Sequence, residues 1–382
     1  MTQNLRNKRV LLVSNLTDLS GPTEGLESFL INKVKLLATI YHPFFYCHDK
    51  RSKANLYSDG KIKKSFISRD FKLPEFIKYL FDQILNIYYS VRFGKHYDIF
   101  IGVNCLHAFL GLIYKKIGLT KTVIFYTIDW MPQRFSNRII NRFYFLIDKI
   151  AYTHADFVWN LSEDITDVRK RQGVSSKKNL LVPNGLNTEE IKNVPLDKIN
   201  RQSLVLLGAL HESKGVDLVI ESLPAIWEKF PKVKLIVIGL TPQAAGIKPY
   251  EKILSALGDR VKILGALKHE KILELLPTFG IGLSPYSPDA KNLSRYAWPA
   301  RVIDYLACGL PVIITPVPKI AYNISENKAG ILISYNKDEL IEAVYKLLTD
   351  DKFYFNARLN AREMVSLLSW ENIFQKAFIK IL

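Results

Sequence analysis

The chain has 382 residues, of which 48% are hydrophobic and 23% are charged. This length suits two or three domains with cores of their own, and the composition excludes an intrinsically disordered chain. The formal net charge is +17, and residues 1–190 hold 28 Lys and Arg against 17 Asp and Glu. A basic first half predicts an acidic partner, either a nucleic acid, an anionic membrane surface or a phosphorylated substrate.

Cysteine and histidine spacing gives no sign of a metal site. The three cysteines lie far apart, and none of the seven histidines has the spacing of a metal-ligand set. We therefore expect a reducing compartment, no disulfide framework and no bound metal. The sequence starts without an apolar signal region and holds no apolar run of about 18 residues, so we expect no transmembrane helix.

Apolar runs and amphipathic segments alternate through the first half of the chain. Strands are predicted at residues 9–14, 43–47, 97–104, 122–129, 157–162 and 180–184. Helices are predicted from the loop of Gly21 and Gly25 through Leu37, over 76–92, 106–117 and 141–155, and around Arg169–Arg171. Residues 50–72 are polar and lysine-rich, which indicates loops and short strands. This alternation predicts a parallel sheet with helices on both faces.

The second half repeats the alternation after a charged, weakly periodic segment. Its strands are predicted at 203–210, 233–239, 260–267, 281–287, 312–315 and 330–334. Its helices are predicted within 212–230 and at 251–257, 270–276 and 337–349. We therefore predict an α/β fold with two Rossmann-like domains that face each other across a cleft. The predicted parts are a first Rossmann-like domain (1–190), a linker (191–202), a second Rossmann-like domain (203–365) and a C-terminal helix (366–382) that packs back on the first domain.

The segment Trp298–Thr315, WPARVIDYLACGLPVIIT, combines a short helix with a buried strand. Pro299 suits a first helical turn, and Gly309 ends the helix before a β-branched apolar run. The helix carries Arg301 and Asp304 three residues apart, on one side. This pair suits an anionic, hydroxyl-bearing ligand at the edge of a sheet. An inert ion pair on a surface helix is the alternative.

Several segments, taken in order, resemble the two-Rossmann (GT-B) glycosyltransferases, in particular the family-4 type group that uses nucleotide sugars. In the second half they are LLVPNGLN (180–187), LVLLGALHESKGVDLVIESL (204–223), KLIVIG (234–239), RVKILGAL (260–267), IGLSPYS (281–287) and PARVIDYLACGLPVI (299–313). FYTIDWMPQRFSN (125–137) and DFVWNLSEDI (156–165) are similar to members of the same group. The resemblance implies sugar transfer from a nucleoside-diphosphate sugar to a hydroxyl of a saccharide or lipid-linked saccharide, with retention at the anomeric carbon. It implies a place in surface polysaccharide or glycolipid synthesis.

The resemblance implies roles for single residues of the second domain. Lys214 matches the lysine of the family's diphosphate-binding pair, whereas Ala209 stands where the family has an arginine. Arg301 can take over that charge. Asp304 stands where the family has a carboxylate that bonds the ribose hydroxyls. Tyr296 replaces the partner carboxylate eight residues earlier.

The same resemblance extends to the nucleobase and the sugar. The base is expected against the main chain near Gly265, and residues 286–295 are expected to form the wall beside the sugar. Tyr286, Asp289 and Asn292 are the candidate contacts in that wall.

In the first domain, Asp129 ends a predicted strand at the edge where parallel sheets bind ligands. We interpret it as a catalytic or sugar-positioning carboxylate, with a cap of the following loop as the alternative. Gly21, in the first glycine loop, is a candidate substrate contact, although a plain turn also explains it. Asp18 and Glu24 are alternative carboxylates in that loop.

The expected cofactors and partners follow from the positive charges at the predicted site and at the ends of two helices. A departing diphosphate needs positive charge, which Lys214, Arg301 and the N-terminus of the helix at 298–306 supply, so we expect no cofactor and no metal. Helices at 76–96 and 106–116 combine aromatic and aliphatic residues with Lys and Arg ends, which indicates peripheral contact with an anionic membrane from the cytoplasm. Core packing is the alternative for those residues. Rival functions are a GT-B-like epimerase, a phosphorylase and a nucleic-acid-binding protein, the last without a recognition module.

Overall fold

The computed structural model describes residues 3–16, 21–44, 47–70, 73–186, 191–192, 194–240, 248–289 and 291–381. The chain forms two compact units, Met1–Gly185 with Trp370–Leu382, and Leu186–Ser369. Each unit contains one sheet with parallel strands and covering helices, so the predicted class of two Rossmann-like α/β domains is confirmed. Within the described ranges, no helix has the length and apolarity needed to span a bilayer.

The first sheet has eight strands in the order β4-β3-β2-β1-β5-β6-β7-β8. The strands are β1 Arg9–Leu16, β2 Leu36–Pro43, β3 Lys53–Ser58, β4 Lys61–Ile67, β5 Tyr97–Val103, β6 Thr120–Thr127, β7 Phe157–Asn160 and β8 Asn179–Leu181. The helices before and between them are α1 Gln3–Arg6, α2 Pro22–Ile31, α3 Glu75–Phe93, α4 Cys105–Lys116, α5 Arg138–His154 and α6 Glu163–Arg171. The central strands are buried on both faces, as their continuous apolar sequences require.

The second strand corrects the sequence prediction. The helix predicted to continue through Leu37 ends at Ile31, and the strand predicted at 43–47 lies at Leu36–Pro43 instead. Leu37 fits a helical face and a buried strand equally well, so periodicity alone cannot assign it. Parallel pairing of β2 with β1 along its whole length decides in favour of the strand. Residues 45 and 46 lie outside the described residues.

An antiparallel hairpin makes the first sheet mixed, whereas a parallel sheet was predicted. β3 pairs antiparallel with both β2 and β4. Asp59 and Gly60 join β3 to β4 with φ angles of 54° and 72°. Two consecutive positive φ values are typical of the type I′ turn, for which Asp-Gly is a favoured pair.

The second sheet is parallel throughout and has six strands in the order β11-β10-β9-β12-β13-β14. The strands are β9 Asn200–Leu207, β10 Lys234–Ile238, β11 Val261–Gly265, β12 Phe279–Ser284, β13 Val312–Ile314 and β14 Gly330–Leu332. The helices are α7 Val216–Lys229, α8 Tyr250–Ser255, α9 His269–Leu275, α10 Ala300–Ala307, α11 Ile320–Glu326, α12 Lys337–Thr349 and α13 Asp351–Val365.

Helix α10 is fixed against the carboxyl end of β9. The buried Tyr305 hydroxyl accepts a hydrogen bond from the Leu207 N–H at 2.8 Å and donates to the Val205 carbonyl at 3.0 Å. Because both strand residues belong to the buried centre of the sheet, the rotation of α10 about its axis is set by the core.

The last helix, α14 (Trp370–Ile379), belongs to the first unit. Its Phe374 and Phe378 rings lie 5.7 and 5.8 Å from the ring of Phe29 on α2. Phe378 also contacts the fully buried Trp159 of β7, at 5.2 Å between ring centroids. Residues far apart in the chain thus complete the apolar core on this face of the first sheet.

Candidate functional site

The second sheet has a topological switch point between β9 and β12. From β9 the sheet extends through β10 and β11 on one side, and from β12 through β13 and β14 on the other. Open parallel sheets bind ligands outside the carboxyl ends of the strands at such a point. Residues 208–215, which lead from β9 into α7, carry Lys214. Residues 285–289 and 291–299, which lead from β12 into α10, carry Tyr286 and Asn292.

Two cations share one aromatic ring at the switch point. Lys214 Nζ lies 5.2 Å and the Arg301 guanidinium carbon 4.8 Å from the centroid of the Tyr286 ring. Burial and the neighbouring charge of Arg301 lower the pKa of Lys214 to about 8. Arg301 Nη1 is buried and has no hydrogen-bond partner among the described residues. Neighbouring, partly buried cations with an unsatisfied donor favour a bound anion.

Hydrogen bonds between the two loops hold Lys214 in place. Its Nζ donates to Ser294 Oγ at 2.8 Å. Asn292 Nδ2 donates to the carbonyls of Ser213 and Ser287, and Asn292 Oδ1 accepts from the Ser294 N–H. In the described contacts, the Asn292 side chain therefore stabilises the two loops. The sugar contact predicted for Asn292 stays a prediction and would require these bonds to be exchanged.

Gly215 permits the close approach of the two loops. It has φ of +75°, and a Cβ at this position would lie 1.7 Å from the Pro285 carbonyl oxygen. Helix α7 begins at the next residue, Val216. Its positive dipole end therefore lies at the same strand edge as Lys214.

Asp304 is paired with a residue that the sequence did not indicate. His269 Nε2 lies 3.1 Å from Asp304 Oδ1, and the Asp304 side chain is only 11% exposed. His269 begins α9, four residues after Gly265, which ends β11 with φ of +70°. The alternative of an exposed Arg–Asp pair on α10 is wrong, because α10 is buried from Val302 to Ala307.

The first-domain candidates lie at the carboxyl ends of other strands. Asp129 follows β6 and forms an ion pair with Arg134. Both line a small pocket that also contains Asn104, which follows β5. Gly21 has extended backbone, and its N–H donates to Glu24 Oε2 at 2.9 Å in the capping box of α2. Asp18 lies outside the described residues.

The structure brings four predicted residues into one contact network, namely Lys214, Tyr286, Asn292 and Arg301. Sequence reasoning missed His269 and Ser294. The one available signal for His269 was its place at a predicted helix start after a strand. In the described part of the chain, no three His, Cys, Asp or Glu side chains come together as metal ligands would.

Two Rossmann-like domains are the architecture of the GT-B glycosyltransferases, and solved structures share it with this chain. HepE from Anabaena, solved in complex with UDP, matches with a TM-score of 0.72 at 16% identity, over 98% of this chain and 99% of that chain. Sucrose-phosphate synthase from Thermosynechococcus elongatus matches with a TM-score of 0.71 at 16% identity, over 97% and 98% of the two chains. These likenesses confirm the predicted fold.

Residues 201–350 match the model of the family Glycosyl transferases group 1. The family resemblance predicted from the sequence is confirmed for this segment, which runs from β9 to the end of α12. It includes the whole contact network of Lys214, Tyr286, Asn292 and Arg301.

Curated relatives align over parts of their length. A phosphatidylinositol N-acetylglucosaminyltransferase subunit from Arabidopsis thaliana is 24% identical over 210 residues, which cover 55% of this chain and 45% of that protein. The phosphatidyl-myo-inositol mannosyltransferase of Mycobacterium leprae is 23% identical over 178 residues, 44% of either protein. The chain spans about half the length of these relatives.

Proposed function

We propose that this protein is a glycosyltransferase that moves a sugar from a nucleoside-diphosphate sugar to a hydroxyl of a saccharide or lipid-linked saccharide. The observation that carries the proposal is the pair of Lys214 and Arg301 beside the Tyr286 ring, with Arg301 Nη1 buried and unsatisfied. The family match of residues 201–350 and the UDP complex of the structural relative HepE support the same ligand class.

In the proposed reaction, the bond between the anomeric carbon and the diphosphate oxygen breaks, and both electrons leave with the diphosphate. Lys214, Arg301 and the N-terminus of α7 stabilise that growing negative charge. Fixed cations then do the work of a metal, so the proposal includes neither a metal nor a cofactor. Asp304, one oxygen of which is held by His269, orients the nucleotide through its ribose hydroxyls.

The acceptor hydroxyl forms the new bond to the anomeric carbon and loses its proton. Asp129 is the candidate carboxylate for this step, and its ion pair with Arg134 fixes its orientation. We propose retention of the anomeric configuration, and this part of the proposal is based on the family resemblance alone.

The proposed acceptor is lipid-linked, and the protein meets it at the cytoplasmic face of an anionic membrane. The names of two relatives, a phosphatidylinositol N-acetylglucosaminyltransferase and a phosphatidyl-myo-inositol mannosyltransferase, support a lipid-borne acceptor. The excess of basic residues in the first half supports the anionic surface, and nothing in the proposal requires a nucleic acid.

Thermal unfolding with a panel of nucleoside diphosphates tests the donor site. We expect UDP or GDP to raise the midpoint of the wild-type protein and to leave Asp304→Lys unchanged. Glu342→Lys, an exposed charge reversal on α12, is the matched control and should respond like the wild type. No response of the wild type to any nucleoside diphosphate would overturn the proposal. Product analysis with nucleotide sugars and a membrane extract then identifies the donor and acceptor.

A further inference from the structure

Helix α3 exposes an apolar side. Apart from Arg92, the exposed side chains that the structure describes on this helix are apolar, between 46% and 60% accessible: Ile77, Leu80, Ile84, Ile87, Tyr88 and Val91. The inner side carries the polar residues Asp82, Asn86 and Ser90, each 2% exposed or less, beside the core residues Tyr89 and Phe93. A helix on a water-soluble surface normally exposes polar side chains instead.

Hydrogen bonds hold the polar side of α3 inward. Asn86 Oδ1 lies 2.8 Å from His42 Nε2 on β2, and Asp82 Oδ1 lies 3.3 Å from His42 Nδ1. Ser90 Oγ lies 2.5 Å from the Tyr114 hydroxyl on α4. Rotating α3 to bury its apolar side would break all of these buried contacts and leave buried polar groups unpaired. These buried hydrogen bonds therefore keep the apolar side of α3 facing outward.

Two neighbouring helices continue the apolar surface. Helix α4 packs against both α3 and α5. Helix α5 exposes Ile139, Phe143 and Leu146, α4 exposes Ile113, and Ile117 directly after α4 is also exposed. We call this surface of α3, α4 and α5 the apolar face. It exceeds the scattered apolar residues that a soluble surface normally shows.

Charges on the apolar face have one sign. Exposed cations accompany the apolar side chains on all three helices: Arg92, Lys116, Arg138, Arg142 and Lys149. The carboxylates of α3 and α5 whose side chains the structure describes, Asp82 and Asp148, are buried and paired with Lys78 and Arg169. A second copy of this chain would bring the same cations face to face. Apolar insertion combined with cations suits anionic lipid.

From this arrangement we infer that the apolar face docks on an anionic lipid bilayer, with α3 lying in the plane of the interface. The inference rests on the proposed function, because a lipid-linked acceptor lies in such a bilayer, and it adds the contact surface. Helix α3 is about 28 Å long at 1.5 Å per residue, so it offers an extended contact.

Vesicle co-sedimentation of the full chain tests the inference. Vesicles of phosphatidylcholine with 30% phosphatidylglycerol are compared with phosphatidylcholine alone, at low and high salt. We expect binding to the anionic vesicles that weakens with salt. Ile84→Gln/Phe143→Gln should bind about ten-fold more weakly or worse, since it removes two apolar contacts. Arg138→Gln/Arg142→Gln should lose about ten- to thirty-fold, at about 1 kcal/mol per cation.

Leu359→Gln/Leu367→Gln is the matched control, because these apolar side chains of the second unit are 65% and 62% exposed. It should bind vesicles like the wild type. Absence of vesicle binding, equal loss in the control, or a concentration-dependent dimer that Ile84→Gln/Phe143→Gln dissolves would overturn the inference. Thermal shift by UDP or GDP, measured without vesicles, reports the donor site separately, so failure of docking and failure of the proposed function are distinguishable.

Discussion

The depressed pKa of Lys214 makes nucleotide binding depend on pH. With the pKa of Lys214 near 8, the free protein carries this charge at pH 7 and has largely lost it at pH 9. A diphosphate binds best to the protonated form, so it must draw a proton onto Lys214 at alkaline pH. If only that form binds, the dissociation constant rises about ten-fold between pH 7 and pH 9.

Isothermal titration calorimetry with UDP and GDP measures this dependence. The range from pH 7 to 9.5 keeps a terminal phosphate, whose second pKa is about 6, fully ionised. We expect a flat dissociation constant up to about pH 8 and a rise of about ten-fold per unit above it. Buffers of different ionisation enthalpy should report uptake of about half a proton per nucleotide near pH 8.

Two variants separate the charge of Lys214 from its place in the loop. Lys214→Arg keeps a charge that does not titrate in this range, so it should bind nucleotide with little dependence on pH. Lys214→Met should bind about ten- to a hundred-fold more weakly at pH 7, also without the alkaline rise. A wild-type dissociation constant that stays flat to pH 9.5, or a rise that persists in Lys214→Arg, would refute the reasoning.

The same pKa has a consequence for stability without ligand. Lowering the pKa of Lys214 from 10.5 to about 8 corresponds to about 3 kcal/mol of destabilisation at pH 7, which is relieved as pH rises from 8 to 10.5. Lys214→Met should therefore unfold at higher denaturant concentration than the wild type at pH 7. A site that stabilises an anion costs folding stability while it is empty.

Three further predictions concern other parts of the two domains. Asp304→Asn and His269→Asn should each weaken UDP binding about ten-fold or more yet leave inorganic pyrophosphate affinity unchanged in competition titrations; a parallel loss of pyrophosphate would contradict a ribose contact. Burial and His42 lower the pKa of His107 to about 3, so protonation opposes folding. Stability should be full above about pH 6.5 and fall by about 1.4 kcal/mol per unit below it, and His107→Gln should flatten that slope in thermal melts. Gly215→Ala should destabilise by about 1–3 kcal/mol and abolish the thermal shift by nucleotide, because its Cβ meets a backbone carbonyl. Gly258→Ala, also at positive φ but with open space around it, should cost less and keep the shift.

Local sequence signals fixed many element positions. Pro299 and Gly309 bracket α10 because one residue suits a helix start and the other ends it in positive φ. Helix α12 has the predicted bounds, Lys337–Thr349, since Asn336 caps it and its apolar residues repeat at helical spacing. In these segments propensity, capping and burial agree.

Local sequence patterns gave wrong or missing predictions where an element depends on residues far away in the chain. Leu37 joined a strand because β1 lies beside it, and that neighbour is not visible in the local pattern. The Asp-Gly pair at residues 59 and 60 indicates a hairpin turn. It does not indicate that the hairpin pairs with β2 at the edge of the first sheet. Helix α13, residues Asp351–Val365, was not predicted at all.

The sequence indicated some residues of the candidate site, whereas the contacts between them are known only from the structure. Residue identity and order indicated Lys214, Arg301 and Asp304. Two cations contact Tyr286 and His269 contacts Asp304 because particular loops meet at the switch point. A local reading of the sequence contains no information on those meetings, because each joins segments separated by several strands and helices.

The position of α14 constrains the order of events during synthesis. The first domain is translated first, yet the Phe374 and Phe378 rings that cover Phe29 belong to α14. At 5–20 residues per second, α14 emerges about 10–40 s after the end of the first segment, Gly185. During that interval the nascent first domain presents an uncovered aromatic surface. The first domain can therefore complete this part of its core only after the second domain has been made.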